Sequence, residues 1–422
     1  MFPPAGLLDA LSLGLSAYVT LLAFADIYLI VVHLRSARRE IERERAATLG
    51  SSGGVPLVCV QLPVHNEPPE VVIQALASLA SLKYAAYEVV VIDNNTNNPA
   101  LWQPVRDYCL SLGQRFQFLH FDGLKDYKAG ALREGLLHTN ARYIAVLDVD
   151  YHPAPAFLAE MMNVLLADRD AAFVQARLDY RNRNFNVLTR AQALEFDTYL
   201  VYEQAARSWA GVPTTFKGTC AVWRRDAIEQ AGGWSGRSLT EDQDLSFRVF
   251  EIGWASRNLI SISVAGELPG SFAALMQQRQ RWGAGAAQTF SDLPWRLMRH
   301  LRWHQAIAFV LLQQFYVVVP ICLIANAGLV AASWYWQGSP AVILGAGLLA
   351  AVSSIVVLKS IGAALATRLL GRPLDLQFAT DLLRMWILQL CLLPIVGTSL
   401  LAGFVSRRIR FVRTPKVLRK ET

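Results

Sequence analysis

The sequence predicts an α/β domain, a doubly wound and mostly parallel sheet, set between an N-terminal membrane helix and a C-terminal bundle of membrane helices. Three observations predict it. Over residues 55–147, short apolar runs alternate with helical patterns, the order that feeds a parallel sheet. Two of those runs end in aspartate, at the strand ends where such sheets carry their ligands. The apolar surplus also lies at the two ends of the chain: hydrophobic residues make up 53% of the 422 and charged residues only 17%, yet the middle is polar.

Residues 7–34 are apolar apart from Asp9, Asp26 and His33, long enough for the ~20 residues that cross a bilayer. The stretch lacks the basic start and small-residue cleavage site of a signal peptide, so an anchor retained over 1–34 is expected. Arg35, Arg38, Arg39, Arg43 and Arg45 follow, and the positive-inside rule then places the next domain in the cytosol. Residues 35–54 read as a basic linker, with glycine and serine at 50–54. A cytosolic domain over 55–290 and an interfacial segment over 291–305 come next. A membrane bundle over 306–405 is expected from apolar stretches at 306–333, 340–366 and 381–405, with Trp334 and Trp336 at an interfacial belt. The tail, 406–422, is basic and belongs in the cytosol by the same rule. One stretch is therefore expected not to cross, and Pro394 and Gly397 at the centre of the last suggest a re-entrant hairpin. The net charge of +7 is mostly this flanking bias, and no basic-aromatic module argues for nucleic acid. Cys59, Cys109, Cys220, Cys322 and Cys391 are scattered without metal-type spacing and read as reduced thiols.

Within the domain, residues 55–62 form an apolar run ending at Pro63, as a buried parallel strand would. A helical pattern covers 70–82. Residues 89–92 give a second strand ending in Asp93, 116–121 a third, and 129–137 a helix. Residues 143–147 give a fourth strand, ending in Asp148-Val149-Asp150. Alternate side chains of a strand point the same way, so Asp148 and Asp150 are expected to face one site. A divalent cation relieves the repulsion of such a pair, and Mg²⁺ commonly takes one or two carboxylates and completes its shell with substrate phosphates. An acidic turn without ligand is the plain alternative. Thr240-Glu241-Asp242-Gln243 opens a helix, where Thr240 and Gln243 fit a capping box and Asp242 fits a general base kept ionised by the helix start. Gln278, Arg281 and Trp282 lie on a helix just before the membrane, either as an interfacial cluster or as groups for a leaving diphosphate and a sugar ring.

Taken together these strings are far more specific. Asp93, Asp148-Val149-Asp150, Thr240-Glu241-Asp242 and Gln278-Arg279-Gln280-Arg281-Trp282 occur in order, with Gln61 to Glu67, Asp126 to Leu132 and Phe216-Lys217-Gly218-Thr219 between them. The chain resembles the membrane-integrated family-2 glycosyltransferases of the GT-A fold, and among them the cellulose-synthase-like β-glucan and mannan synthases. The resemblance implies inverting transfer of a sugar from a UDP-sugar donor, with Mg²⁺ or Mn²⁺, to a growing β-linked glycan at a membrane. A lipid acceptor, as in ceramide or diacylglycerol glucosyltransferases, is the alternative. It implies Glu67 and Asp93 at the uridine, Lys128 on the donor, Asp148 and Asp150 on metal and diphosphate, and Arg281 on the leaving group. Asp242 would be the base beside Glu241, and Gln278, Trp282 and Cys220 would meet the acceptor. Phe411-Val412-Arg413-Thr414-Pro415-Lys416 resembles the gating loop of cellulose synthase, which would bring Thr414 and Lys416 to the donor. The resemblance departs at His65, where the family pattern has tyrosine, and at Asn94-Asn95, where a second acid is usual.

Overall fold

The computed structural model describes residues 5–50, 54–292, 295–313, 328 and 341–405. Seven strands form one sheet: β1 (Val58–Val64), β2 (Tyr87–Asn94), β3 (Phe116–Phe121), β4 (Tyr143–Val146), β5 (Ala171–Tyr180), β6 (Ala221–Arg224) and β7 (Ala255–Gly266), in the order β3-β2-β1-β4-β6-β5-β7. Strands β3, β2, β1 and β4 are parallel, β6 runs antiparallel between β4 and β5, and β7 is parallel to β5. The expected α/β fold is therefore present, with one reversed strand in it. The first strand continues through Pro63, beyond the stop expected there. Pro63 still pairs with Ile92 of β2, while β4 pairs only as far as Gln61. A residue without an N–H is tolerated where the strand on its other side has already ended.

Helices α2 (Pro69–Ala80), α3 (Pro99–Ser111), α4 (Tyr127–Leu137) and α5 (Phe157–Ala167) cover the parallel half. The central strands read as continuous apolar runs because both faces are covered: Val89, Val90, Val91 and Ile92 are all fully buried. Beneath the antiparallel strand Phe173, Phe216, Trp223 and Trp234 pack as an aromatic cluster, with Phe173 stacked on Trp223 at 4.1 Å.

Helix α1 (Ala5–Thr48) is one helix of 44 residues. The stretch from residue 35 read as a linker is thus a continuation of the same helix through Thr48. A basic run with good helix formers continues a helix readily once its far end is held. That hold is Glu44, whose Oε2 accepts from Ile260 N, Ser261 N and Ser261 Oγ at 2.9–3.0 Å. At the other end of the chain lie α6 (Val187–Asp197), a π-helical turn (Thr198–Gln204), α7 (Ala205–Trp209), α8 (Arg225–Gln230), α9 (Glu241–Glu251), α10 (Phe272–Ser291) and α11 (Trp303–Gln313). They lead into α12 (Ala341–Leu369) and α13 (Leu376–Val405). Among the described residues three helices, α1, α12 and α13, are long and apolar enough to cross a membrane.

The re-entrant hairpin expected at Pro394 is not what forms: α13 runs unbroken through it for 30 residues, or about 45 Å. In the turn after the proline, hydroxyls bond back to carbonyls one turn earlier, Thr398 Oγ1 donating to Pro394 O at 2.8 Å and Ser399 Oγ to Ile395 O at 2.6 Å. Backbone contact with α10 then holds the helix straight on. A Cβ at Gly403 would come within 2.4 Å of Ala284 O, and one at Gly283 within 3.3 Å of Val396 O. Gly403→Val is accordingly expected to cost about 1–3 kcal/mol by overpacking. A lower melting midpoint in detergent, relative to a Leu401→Val control on the exposed face, is the check.

The joint between domain and membrane helices is polar. Arg190 of α6 makes a two-pronged ion pair with Asp381 of α13 at 2.7 and 3.1 Å. Arg372 reaches Asp197 at 2.6 Å, Gln389 reaches Glu195 at 2.8 Å, and Lys359 of α12 bridges Asp26 of α1 and Glu203 at 2.8 and 2.7 Å. The segment α6–α7 is thereby fastened to all three candidate membrane helices.

Candidate active site

A cavity of about 720 Å³ opens at the carboxyl ends of β1, β2 and β4 and continues to the faces of α12 and α13. One end of it is built around Lys128. Asp126 and Tyr127 both hold left-handed backbone angles, at φ 70° and 49°, a conformation uncommon for residues with side chains. Asn94 and Asn95 hold that turn: Asn94 Nδ2 donates to Tyr127 O at 2.6 Å, and the Asn95 amide both donates to Leu124 O and accepts from Leu124 N at 2.8 Å. The turn delivers Lys128 to the first turn of α4, where Nζ meets Asp148 Oδ1 at 2.5 Å and Gly218 O at 2.8 Å. Burial pulls the Lys128 ammonium down, but Asp148, Glu241 and Asp242 outweigh it, and its pKa is raised.

Asp148 and Asp150 both line the cavity. They do so from a turn, since β4 ends at Val146 and Tyr151 N closes onto Asp148 O at 3.1 Å; the strand alternation expected to align them is not the cause. Thr219 Oγ1 accepts from Asp148 N at 2.9 Å, fixing the turn from the neighbouring loop. Among the described residues no set of three or more His, Cys, Asp or Glu side chains could hold a metal. Two hard carboxylates opening on a cavity fit an ion of the Mg²⁺ or Mn²⁺ kind, which draws its remaining ligands from phosphates and water.

Glu241 and Asp242 form the first turn of α9. Asp242 Oδ1 accepts from Gln243 N at 2.9 Å, and its Oδ2 lies beside Gly218, where an added Cβ would sit 3.4 Å away. The expected capping box is absent, because Thr240 makes no side-chain cap. Its hydroxyl bonds instead to Thr289 Oγ1 at 3.0 Å, and a Cβ on Gly285 would fall 2.5 Å from Thr240 Cγ2. Leu239 N donates to Gln288 Oε1 at 3.0 Å and Ser238 Oγ to Gly285 O at 3.0 Å. The start of α9 is thus pinned to α10, the helix that carries Gln278, Arg281 and Trp282. Burial, and then the Asp242 charge, push the Glu241 carboxyl up to about 7. Burial also raises Asp242, against the pull of its Gln243 N–H, Lys128 and Lys217. Burial lowers Arg281, while Glu241, Asp148 and Asp242 support its charge.

Glu67, Gln278, Arg281 and Trp282 line the same cavity. Trp282 is held edge-on to Phe196 at 6.0 Å, with the Arg279 guanidinium 5.0 Å from its ring centre and Arg279 itself paired to Glu195 at 2.7 Å. Two expected residues lie elsewhere. Asp93 is 1% exposed and off the cavity wall. It stands opposite His120 in the sheet register, and its oxygens are taken by His120 Nδ1 and Thr96 Oγ1, both at 2.6 Å. Cys220 is fully buried and also off the wall, with its carbonyl accepting from Ala176 N at 2.9 Å. Thr414 and Lys416 lie outside the described residues. The sequence reading singled out neither Tyr199 and Glu203 of the π-helical turn nor Arg207 of α7, nor Lys217 alone, yet all line the cavity. Glu203 and Arg207 do leave a signal, two opposite charges four apart in an otherwise apolar run.

Comparison with known proteins follows the same lines. The chain is 33% identical over 291 residues to a probable glucomannan 4-beta-mannosyltransferase 9 of Oryza sativa subsp. japonica, covering 64% of this chain and 55% of that one. It is 31% identical to glucomannan 4-beta-mannosyltransferase 7 of Arabidopsis thaliana, covering 62% and 50%. The chain therefore spans about half the length of the curated relatives it matches. A mannosyltransferase from Pyrobaculum calidifontis, solved in complex with GDP-Man and Mn²⁺, superposes with a TM-score of 0.55 at 21% identity, over 90% of this chain and 99% of that one. Its likeness is one of fold. A family model described as glycosyl transferase family group 2 matches residues 143–358, half of the chain, and takes in Asp148, Asp150, Asp242 and Arg281; the chain belongs to that family.

Proposed function

We propose that this chain transfers a hexose, with inversion, from a nucleoside-diphosphate sugar to a growing β-linked glycan at the cytosolic face of a membrane. The observation that carries the reading is one cavity bringing together Lys128, Asp148, Asp150, Asp242 and Arg281 at the strand ends. In this reading the acceptor hydroxyl gives its proton to Asp242 Oδ2 while its oxygen attacks the anomeric carbon. The bond from that carbon to the diphosphate breaks, and Lys128 and Arg281 receive the leaving charge. A divalent ion held by Asp148 and Asp150 would neutralise the diphosphate when bound. Glu67, His65, Asn94 and Asn95 would meet the nucleoside; Asp93 would act behind them, ordering His120 and Thr96. Of the donors, the relatives' names favour mannose carried by GDP over the UDP-sugar expected from sequence.

A lipid acceptor is the second reading. It is favoured by the far wall of the cavity, where Val352 and Val356 of α12 and Leu390, Leu393 and Leu400 of α13 are apolar. The test is incubation of the detergent-solubilised protein with Mg²⁺ or Mn²⁺, labelled GDP-mannose and a panel of UDP-sugars, with and without lipid. GDP-mannose incorporated into a high-molecular-weight, mannanase-sensitive product without lipid is the expected result. An organic-soluble product formed only with lipid would move the acceptor to the second reading. Failure to turn over any nucleotide sugar would remove both.

A further inference from the structure

Lys217 belongs to the loop that passes under the reactive end of the cavity. Its backbone N–H donates to Gln175 Oε1 at 3.0 Å, and Gly218 beside it turns with φ 80° against Asp242 and Lys128. Its Nζ donates to Tyr199 OH at 2.8 Å, Thr215 Oγ1 at 3.1 Å and Gln204 Oε1 at 3.3 Å, and lies 4.7 Å from the centre of the Tyr199 ring. An ammonium has three donors, and here each has a neutral oxygen. No carboxylate stands within ion-pair distance of it among the described residues. The nearby cations are differently served: Arg207 is paired to Glu203, and Lys359 is shared by Glu203 and Asp26. Lys217 is thus fixed in the cavity wall, with its three hydrogen bonds spent on neutral oxygens and no carboxylate in contact among the described residues.

Charged and titratable groups face it from few directions. Arg207 opposes its charge, and Asp242 and Glu203 support it; burial first and then Arg207 pull its pKa down to about 7. Asp242 in turn is faced by Lys128 from α4, Lys217 from the loop, Glu241 from its own helix, Arg281 from α10 and Tyr199 from the π-helical turn. Of the three cations, Lys128 is in contact with Asp148, and Arg281 is supported by Glu241 and Asp148 as well as by Asp242. Lys217 touches no carboxylate among the described residues, and its Nζ is held by neutral oxygens alone.

We propose that Lys217 is a positioning residue for the base: its ammonium, fixed by Tyr199, Thr215 and Gln204, supplies the counter-charge that keeps Asp242 ionised and ready to accept a proton. The proposal rests on the reading of Asp242 as that base. A π-helical turn is a frequent mark of a functional site, and here it supplies two of the three oxygens that hold the ammonium.

The test is the pH profile of kcat/KM for Lys217→Met, Lys217→Gln and Lys217→Arg in the full-length protein, with nucleotide-sugar binding measured beside it. Removing the cation raises the pKa of Asp242, so activity is lost at a higher pH on the acid side. The Met and Gln variants are expected to move that limb up by roughly one unit or more, and Arg to hold it near the wild-type position. Gln can still bond to the same oxygens, so it covers the case in which Met disturbs the fold. An acid limb left in place in whichever variant binds donor normally overturns the role of Lys217. Asp242→Asn separates the two readings: turnover retained there removes the base itself, whereas a dead Asp242→Asn beside unmoved Lys217 limbs removes only the proposal.

Discussion

Replacing Asp242 by asparagine is expected to lower sugar transfer about 10²–10⁴-fold while leaving binding of the nucleotide within a few-fold. The side chain keeps its shape, so Oδ1 still accepts from Gln243 N and the start of α9 keeps its attachment to α10 through Leu239 and Ser238. What is lost, on the proposed reading, is the acceptor for the proton. Glu241 cannot stand in cheaply. It lies one residue back, at the first position of the helix, and burial with the neighbouring charge pushes it up to about 7. In the variant that neighbouring charge is gone, so Glu241 should ionise at lower pH. Residual activity, if carried by Glu241, would then show an acid limb below about 7, the reverse of the shift expected for Lys217→Met. Single-turnover rates with saturating donor, beside calorimetric binding of the nucleotide, separate the chemical step from affinity. Wild-type rates in Asp242→Asn would take the base role away from this residue.

The acid side of the profile has its own sign. A base works only when ionised, and Asp242 lies above its ordinary range through burial. Transfer is therefore lost as pH falls through that raised value, at a higher pH than a solvated aspartate would show.

The sheet was legible because its central strands are buried on both faces and so read as unbroken apolar runs; residues 116–121 were bounded as they stand in β3. That Asp148, Asp150 and Asp242 line the cavity was legible because their types sit just past a strand end and at a helix start, whereas Arg281, in the middle of α10, was reached only through the motif it belongs to. Asp93 shows where such reading stops. A strand end tells that a side chain is near the ligand edge, but the register with β3 decides that it meets His120 behind the wall. The capping box at Thr240 failed for a similar reason, since a local pattern cannot show that Thr289 of α10 takes the hydroxyl first. Proline likewise reads as a helix stop, and tertiary contact between glycine faces of α10 and α13 overrode it. The π-helical turn has no sequence signal in residue types, so Tyr199 could not be placed at the cavity.

Lys359→Ala is expected to be the most damaging change away from the reactive groups. Lys359 is 4% exposed in a helix apolar enough to span a membrane, and it holds Asp26 of α1 and Glu203 of the π-helical turn together. Truncation leaves the two carboxylates unequally served. Glu203 keeps Arg207, whereas Asp26, 1% exposed, loses its ion pair. Breaking a buried pair by removing one partner costs about 3–5 kcal/mol, most of it the charge left behind. The variant should therefore melt well below the wild type in detergent, or fail to accumulate. The asymmetry makes the argument sharper than the single loss. Asp26→Asn added to Lys359→Ala removes the stranded charge and should recover a large part of the midpoint. Glu203→Gln added instead leaves Asp26 as it was and takes the Glu203 charge away from Arg207, so it should recover none. Equal recovery by the two second changes, or a single variant as stable as the wild type, would mean that packing and not charge holds α1, α12 and the catalytic domain together.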